Sequence, residues 1–259
     1  MRKNPVKRTL ADGGVALGTM VFEFATTGIA RLAAGAGAEF VVFDQEHTGA
    51  SLETVRMFCA TARACDLVPL VRVPATEYHL LAGALDVGPM GVMVPMVESP
   101  EQARRIVDSA KYPPVGRRGV GILYRDDWVE GSVAATMERV NRELLLIAQI
   151  ETAAGVERAE EIAAVDGIDV VWIGHYDLTA SLGIPGQFEH GDYVAAVDRV
   201  LEAARGAGKP VGIMAGSLAD GLWALDRGFR AIAYGGDLRL YQEALRGGLA
   251  QLDAARRAQ

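Results

Sequence analysis

Eight short runs of apolar, largely β-branched residues limit what this chain can fold into more than any other feature. They are VALGTM (15–20), FVVFDQE (40–46), VPLVRV (68–73), GVMVPMV (91–97), LLLIAQIE (144–151), VVWIGHYD (170–177), PVGIMA (210–215) and AIAYGG (231–236). Each is apolar on successive residues rather than on alternate ones, which suits parallel strands covered on both faces. Amphipathic segments lie between them. Ser51 is placed to cap a helix that shows Leu52, Val55, Phe58, Cys59 and Ala62 on one face, and 153–164 and 192–207 read the same way. Eight strand–helix units in 259 residues predict a (β/α)8 barrel, an α/β fold formed by one domain over 1–259. A doubly wound open sheet has the same periodicity and stays open at this level. Residues 111–142 break the rhythm; they are glycine-rich and poorly periodic, and a loop that long is expected to serve a site or a neighbour.

Half of the residues are hydrophobic, enough for one large core. The net charge of -7 is spread without long runs of either sign, which weighs against nucleic acid or an anionic membrane as partner. No apolar stretch is long enough to span a bilayer, and no apolar segment follows the basic N-terminus, so neither a membrane span nor a secretory signal is expected. The two cysteines, Cys59 and Cys65, share one predicted helix but face different ways. Without an expected disulfide, the reduced cytoplasm is the natural compartment.

If the runs close into a barrel, their C-terminal ends share the mouth where barrel sites are built. Asp44, Glu46 and His47 end the second run, Arg72 the third, Gln149 and Glu151 the fifth, and His175 and Asp177 the sixth. Ionisable groups at the ends of core strands are costly unless partnered, so their clustering reads as the wall of a site. Glu151 and Asp177, on neighbouring strands, are hard oxygen donors suited to Mg²⁺ or a similar divalent ion completed by water and substrate. There is no HxH, HExxH or CxxC pattern for a closed zinc site. Arg72 can meet an anionic oxygen and His47 can move a proton, a set suited to stabilising an enolate. The only lysines are Lys3, Lys7, Lys111 and Lys209, none of them expected at that mouth, so a Schiff base is not expected and carbon–carbon chemistry would need a metal. Blander readings stand beside these: a structural ion-pair network for the carboxylates, a salt bridge capping the mouth for Arg72, packing for His47 and His175. His79 and His190 read as surface or loop residues. YGGD (234–237) fits either a barrel phosphate site or a tight turn.

FDQEHTG, PLVRVP, LLAGALDVGPMGVMVPMVESPEQAR, YPPVGRRGVG, IAQIETAAG and VDGIDVVWIGHYDLTASLG follow one another between residues 40 and 185. Together they resemble the HpcH/HpaI family of class II, metal-dependent pyruvate aldolases, relatives of the citrate lyase β-subunit and macrophomate synthase. The resemblance implies that Glu151 and Asp177 hold a divalent metal, Mg²⁺ or Mn²⁺ with Co²⁺ as an alternative, which chelates the carboxylate and ketone of pyruvate or hydroxypyruvate. It implies that Arg72 stabilises the enolate oxygen and that His47 is the acid/base, its charge supported by Asp86 of ALDVG. Gln149, Gly174 and His175 would meet substrate, with Asp44 and Glu46 behind them. The implied reaction is reversible cleavage or formation of a 4-hydroxy-2-oxo acid with an aldehyde acceptor. The implied assembly is a trimer of dimers exchanging a C-terminal helix near 239–252.

The chain departs from the family pattern at three places. G-P-x-D-L is replaced by GHYDL, so His175 and Tyr176 flank Asp177; the small, polar stretch after RGVG is replaced by ILYRDDWVEG; and the first run continues as GTMVFEF, which brings Met20 and Phe22 near the mouth. These are places where an aldehyde would sit, so the acceptor does not carry over from relatives. Other fates of the same enolate remain open, namely a citrate-synthase-like condensation or a decarboxylation followed by addition. A non-catalytic binding protein on this scaffold would be expected to have lost a metal ligand, yet all four central residues are present.

Overall fold

The computed structural model describes residues 2–121 and 132–258. Its eight parallel strands close into a barrel in chain order, with β8 returning to β1. They are β1 Ala16–Val21, β2 Phe40–Asp44, β3 Val68–Arg72, β4 Gly91–Val94, β5 Leu145–Ile150, β6 Val170–Ile173, β7 Val211–Ala215 and β8 Ala231–Gly236. The helices are α1 Pro5–Ala11, α2 Ile29–Gly35, α3 Leu52–Ala64, α4 Tyr78–Asp86, α5 Pro100–Ala110, α6 Val133–Glu143, α7 Ala153–Glu157, α8 Ala159–Ala163, α9 His175–Ser181, α10 Gly191–Gly206, α11 Leu218–Arg227 and α12 Asp237–Arg257. All eight expected runs are strands, and the closed order excludes the open sheet. The stretch ILYRDDWVEG (122–131) lies outside the described residues.

Alternation along each strand divides the core into two layers. Phe40, Val42, Leu70, Met93, Ile147 and Trp172 point into the barrel, while Val41, Phe43, Val71, Val92, Leu146 and Ile173 face the helices. Both sets are almost fully buried, which is why the strands read as continuous rather than alternating. Trp172 is the largest filler of the interior, and its register partner on β7 is Gly212. A Cβ added at Gly212 would lie 2.2 Å from the Trp172 ring, so the indole occupies the room that glycine leaves.

The N-terminal mouth is closed by α1, an element the basic N-terminal sequence did not announce. Val6 and Leu10 join the interior layer. Asn4 is fully buried: its side chain donates to the carbonyls of Met90 and Glu143 at 3.2 Å each and accepts from Lys7 N at 3.1 Å as the helix cap. Lys7, Lys111 and Lys209 are bound at this same end through the carbonyls of Leu144 and Val165.

Four boundaries differ from the sequence reading. Strand β2 stops at Asp44 and β6 at Ile173, so Glu46, His47, His175 and Asp177 stand on turns or on the first turn of α9 rather than on strands. The segment 153–164 divides at Arg158 into α7 and α8. The irregular stretch 111–142 ends in a helix, α6, whose buried Glu143 accepts from the backbone of Asn4 at 2.9 Å.

The YGGD turn is filled by its own acid. Asp237 accepts from the backbone N–H groups of Phe22 (2.9 Å), Glu23 (2.9 Å), Phe24 (2.6 Å) and Leu238 (3.0 Å). Its carboxylate thereby takes up the donors that a phosphate would need and ties the β1 loop to the start of α12. Leaving these amides unpaired is expected to cost about 3 kcal/mol. Asp237→Ala should lower the melting temperature by roughly 6–12 °C, and Asp237→Asn, which keeps part of the acceptor set, by less. A thermal melt of the three proteins checks this.

Candidate active site

The C-terminal mouth is organised by one buried ion pair. Asp44 and Arg72 are register partners at the ends of β2 and β3, and Arg72 Nε donates to Asp44 Oδ1 at 2.6 Å. Asp44 also accepts from the backbone of Glu46 at 3.1 Å and His47 at 3.0 Å, which turns DQEH across the mouth. Glu46 Oε2 lies 3.2 Å from Arg72 Nε and 3.6 Å from His47 Nε2. The single Nε hydrogen already serves Asp44, so Glu46 Oε2 is buried with charge nearby but with no directed hydrogen bond. The Arg72 guanidinium lies 5.9 Å from the centre of the Phe22 ring.

Opposite this pair stands Glu151, just past the end of β5 and 2% exposed. Its Oε1 accepts from Met96 N at 2.7 Å and its Oε2 from Gln149 Nε2 at 2.5 Å. Met96 presents that N–H from a left-handed backbone (φ 53°), a conformation uncommon for a non-glycine residue. Gly174 is what admits the carboxylate, because a Cβ there would lie 2.1 Å from Glu151 Oε2. Asp177 follows on the first turn of α9, where an acid complements the helix N-terminus.

Burial pushes both Glu151 and Glu46 up to about 7, and each is raised further by the other acids at the mouth, Asp177 among them. For Glu151, the Met96 and Gln149 hydrogen bonds work against this; for Glu46, Arg72 does. The mouth thus carries more negative charge than Arg72 balances. Among the described residues, no three His, Cys, Asp or Glu side chains come together as a complete metal cage. Two carboxylates facing one cavity, Glu151 among them with its charge disfavoured by burial, fit a hard divalent cation that takes its remaining oxygens from water and substrate.

A cavity of about 240 Å³ joins His47, Arg72, Gln149, Glu151, Gly174, His175 and Asp177, with Met20, Phe22 and Trp172 as apolar walls. Asp44 and Glu46 stand behind Arg72. His175 packs its ring 4.6 Å from Tyr176 and 5.2 Å from Phe188, and burial lowers its pKa to about 4, which keeps it neutral. Asp86 does not join the set within the chain. It ends α4 close to the start of β4, at the far end of the barrel from Arg72, and Arg118 Nη2 donates to it at 2.9 Å. The in-chain carboxylate nearest His47 in the ion-pair geometry is Glu46. Met96 was missed in the sequence because it contributes a backbone amide, which no side-chain pattern reveals.

The profile of the HpcH/HpaI aldolase/citrate lyase family matches residues 19–244. The chain belongs to this family. It is 36% identical over 243 residues to a hydroxypyruvate/pyruvate aldolase of Deinococcus radiodurans, covering 94% of this chain and 87% of that protein. It is 34% identical over 209 residues to a 5-keto-4-deoxy-D-glucarate aldolase of Shigella boydii, 81% of each chain. Its fold matches the crystal structure of an HpcH/HpaI aldolase from Desulfitobacterium hafniense with a TM-score of 0.91, at 33% identity and 95% coverage of both chains.

The raised carboxylates fix the sign of a pH effect. Between about 4.5, the ordinary value, and about 7, folded Glu46 and Glu151 retain protons that the unfolded chain has released. Their stabilising contribution is complete below 4.5 and is lost as pH rises through 7. In the presence of EDTA, Glu46→Gln should therefore melt several degrees above wild type at pH 8 and close to it at pH 4.5. A variant that melts lower at both pH values would show that the Glu46 charge is not the destabilising element.

Proposed function

We propose that this protein is a metal-dependent carbon–carbon lyase that cleaves or forms 4-hydroxy-2-oxo acids through the enolate of pyruvate or hydroxypyruvate. The observation that carries the reading is the placing of Glu151 and Asp177 across one cavity from Arg72 and His47. Glu151 and Asp177 are the residues that would hold Mg²⁺ or Mn²⁺, which when bound supplies Lewis-acid polarisation of the donor carbonyl. Arg72, fixed by Asp44, puts positive charge where the enolate oxygen develops, in a buried site where that charge is little screened. His47, exposed at the rim, gives up and receives the proton on the aldehyde-derived oxygen. Gln149 and the Met96 amide keep the Glu151 carboxylate in one orientation, and Phe22 and Trp172 exclude water. The expected compartment is the cytoplasm; no described helix is long and apolar enough to cross a membrane.

In cleavage of 4-hydroxy-2-oxopentanoate, followed as released pyruvate, EDTA should abolish activity and Mg²⁺ or Mn²⁺ restore it. Glu151→Ala, Asp177→Ala and Arg72→Ala should each lower kcat/KM by roughly a hundredfold or more, on the scale of losing one strong electrostatic contact in the transition state. Cleavage that survives EDTA and both carboxylate substitutions would refute the metal-dependent reading.

We also propose that residues 1–259 act as one barrel domain that assembles by exchanging α12, in a trimer of dimers. Along this helix Leu238, Tyr241, Leu245, Leu249 and Leu252 recur at helical spacing and are all exposed. On the barrel, Leu17 of β1, Tyr234 of β8 and Leu218, Leu222 and Leu225 of α11 are uncovered as well. Gly247 and Gly248 lie inside α12, and each costs an unsupported helix about 1 kcal/mol. Both apolar surfaces are left uncovered within one chain, and α12 of a second copy is the occupant proposed. The double substitution Leu245→Glu with Leu249→Glu should convert the oligomer to a monomer in sedimentation, with the barrel still folded by circular dichroism.

A further inference from the structure

Beside the reaction cavity lies a larger one, of about 900 Å³, between the loop after β6 and the start of α11. His175, Tyr176 and Met214 line both, so the two spaces share a wall. The smaller space has the volume for a three-carbon donor and an aldehyde carbon but little more, whereas the larger is within the range that holds a drug-sized ligand. One side of the larger space is aromatic and apolar, with Phe188, Tyr193 and Trp223 above Ile213 and Ala215, while Gln187, His190 and Ser217 add polar atoms to the lining. Tyr176, Phe188 and Tyr193 pack edge to face at 5.2 and 5.7 Å, which makes a continuous ring-lined wall.

The charge at its rim is what narrows the ligand. Glu189 and Asp220 are negative. Among the described residues, Arg239 is the one lysine or arginine lining this cavity, and its Nε already donates to Glu243 at 2.6 Å. Its Nη1 also converges with Asp220 on Gly216, where an added Cβ would lie 2.7 Å from Nη1 and 3.4 Å from Asp220 Oδ2. Arg239 is already paired with Glu243, so with Glu189 and Asp220 the rim carries net negative charge, which disfavours an anionic tail.

We propose that this cavity is the acceptor subsite, and that the acceptor is a neutral aldehyde carrying an aromatic ring or a comparable apolar body. The proposal rests on the enolate reading above. In the bond-forming direction, C3 of the donor enolate adds to the aldehyde carbon, one carbon–carbon bond forms, and the aldehyde π pair becomes an alkoxide that takes up a proton. The aldehyde carbon stays in the smaller space, and its substituent passes His175, Tyr176 and Met214 into the larger one. This gives a function to the departure from the family pattern at GHYDL, which otherwise only crowds the mouth.

Ala219, exposed on the first turn of α11, lines the larger cavity and not the smaller, so Ala219→Trp or Ala219→Phe fills the space from its open side. With pyruvate as donor, phenylacetaldehyde should be used with a kcat/KM at least about tenfold above acetaldehyde and succinic semialdehyde, the scale on which an apolar pocket discriminates. Either variant should remove that advantage while leaving acetaldehyde use and the deuterium exchange of the pyruvate methyl group unchanged. Saturation-transfer NMR of the unreactive mimic 2-phenylethanol on the metal-free protein should show contact with the ring protons in wild type and lose it in the variants. Intact methyl exchange with no preference for phenylacetaldehyde, with succinic semialdehyde preferred, or with 2-phenylethanol binding unaffected by both variants would overturn this proposal alone. Absence of methyl exchange in wild type would overturn the enolate reading and this proposal with it.

Discussion

The mouth of this barrel depends on the Asp44–Arg72 pair. One carboxylate without solvent exposure holds the guanidinium through Nε and receives two backbone amides, so it sets both the arginine and the turn that carries Glu46 and His47. Burying two charges is not in itself stabilising, but once buried each needs the other, and removing one strands its partner at a cost of about 3–5 kcal/mol. This is why a core strand ends in a crowd of ionisable groups. The pair consumes the Nε hydrogen and leaves Glu46 Oε2 close to charge without a directed bond.

Across the cavity the same logic runs with the opposite sign. Glu151 is admitted by the missing side chain at Gly174, oriented by Gln149 and by the strained Met96 backbone, and disfavoured as an anion by its burial. In the proposed reading, this strained backbone holds the carboxylate for a divalent cation supplied from outside. On that reading, donor chemistry is concentrated in a small space built on strand ends. The neighbouring space belongs to loops and helix starts, which vary at little cost to the barrel. Glu151, Asp177, Arg72 and His47, which the sequence resemblance singles out, line the smaller cavity, and His175 and Tyr176 stand between the two.

Much of this was legible in the sequence because parallel strands covered on both faces leave unbroken apolar runs, and the first polar residue after each run marks the mouth. Arg72, Glu151 and His47 could be placed on that ground alone. What could not be read had physical reasons. Helix α1 carries only two core residues, Val6 and Leu10, and its hold on the barrel is the hydrogen bonding of Asn4. Helix α6 buries Glu143 where periodicity looks for an apolar residue. Asp177 was placed on a strand because VVWIGHYD is apolar up to Gly174, but the backbone turns into α9 there, so its acid stands in the first turn of a helix. The separation of Asp86 from His47 follows from the length of α4, which carries the acid away from the mouth.

The central claim is that the cavity between Arg72 and Glu151 makes an enolate. The most direct measurement is proton NMR of pyruvate in D₂O with the purified protein, with and without Mn²⁺ or Mg²⁺, and with Glu151→Gln alongside. The account predicts that the methyl signal decays only when the metal and Glu151 are both present, before any aldehyde is added. A methyl signal that stays constant with every divalent metal, for hydroxypyruvate as well as pyruvate, or that decays equally in the variant, would contradict it.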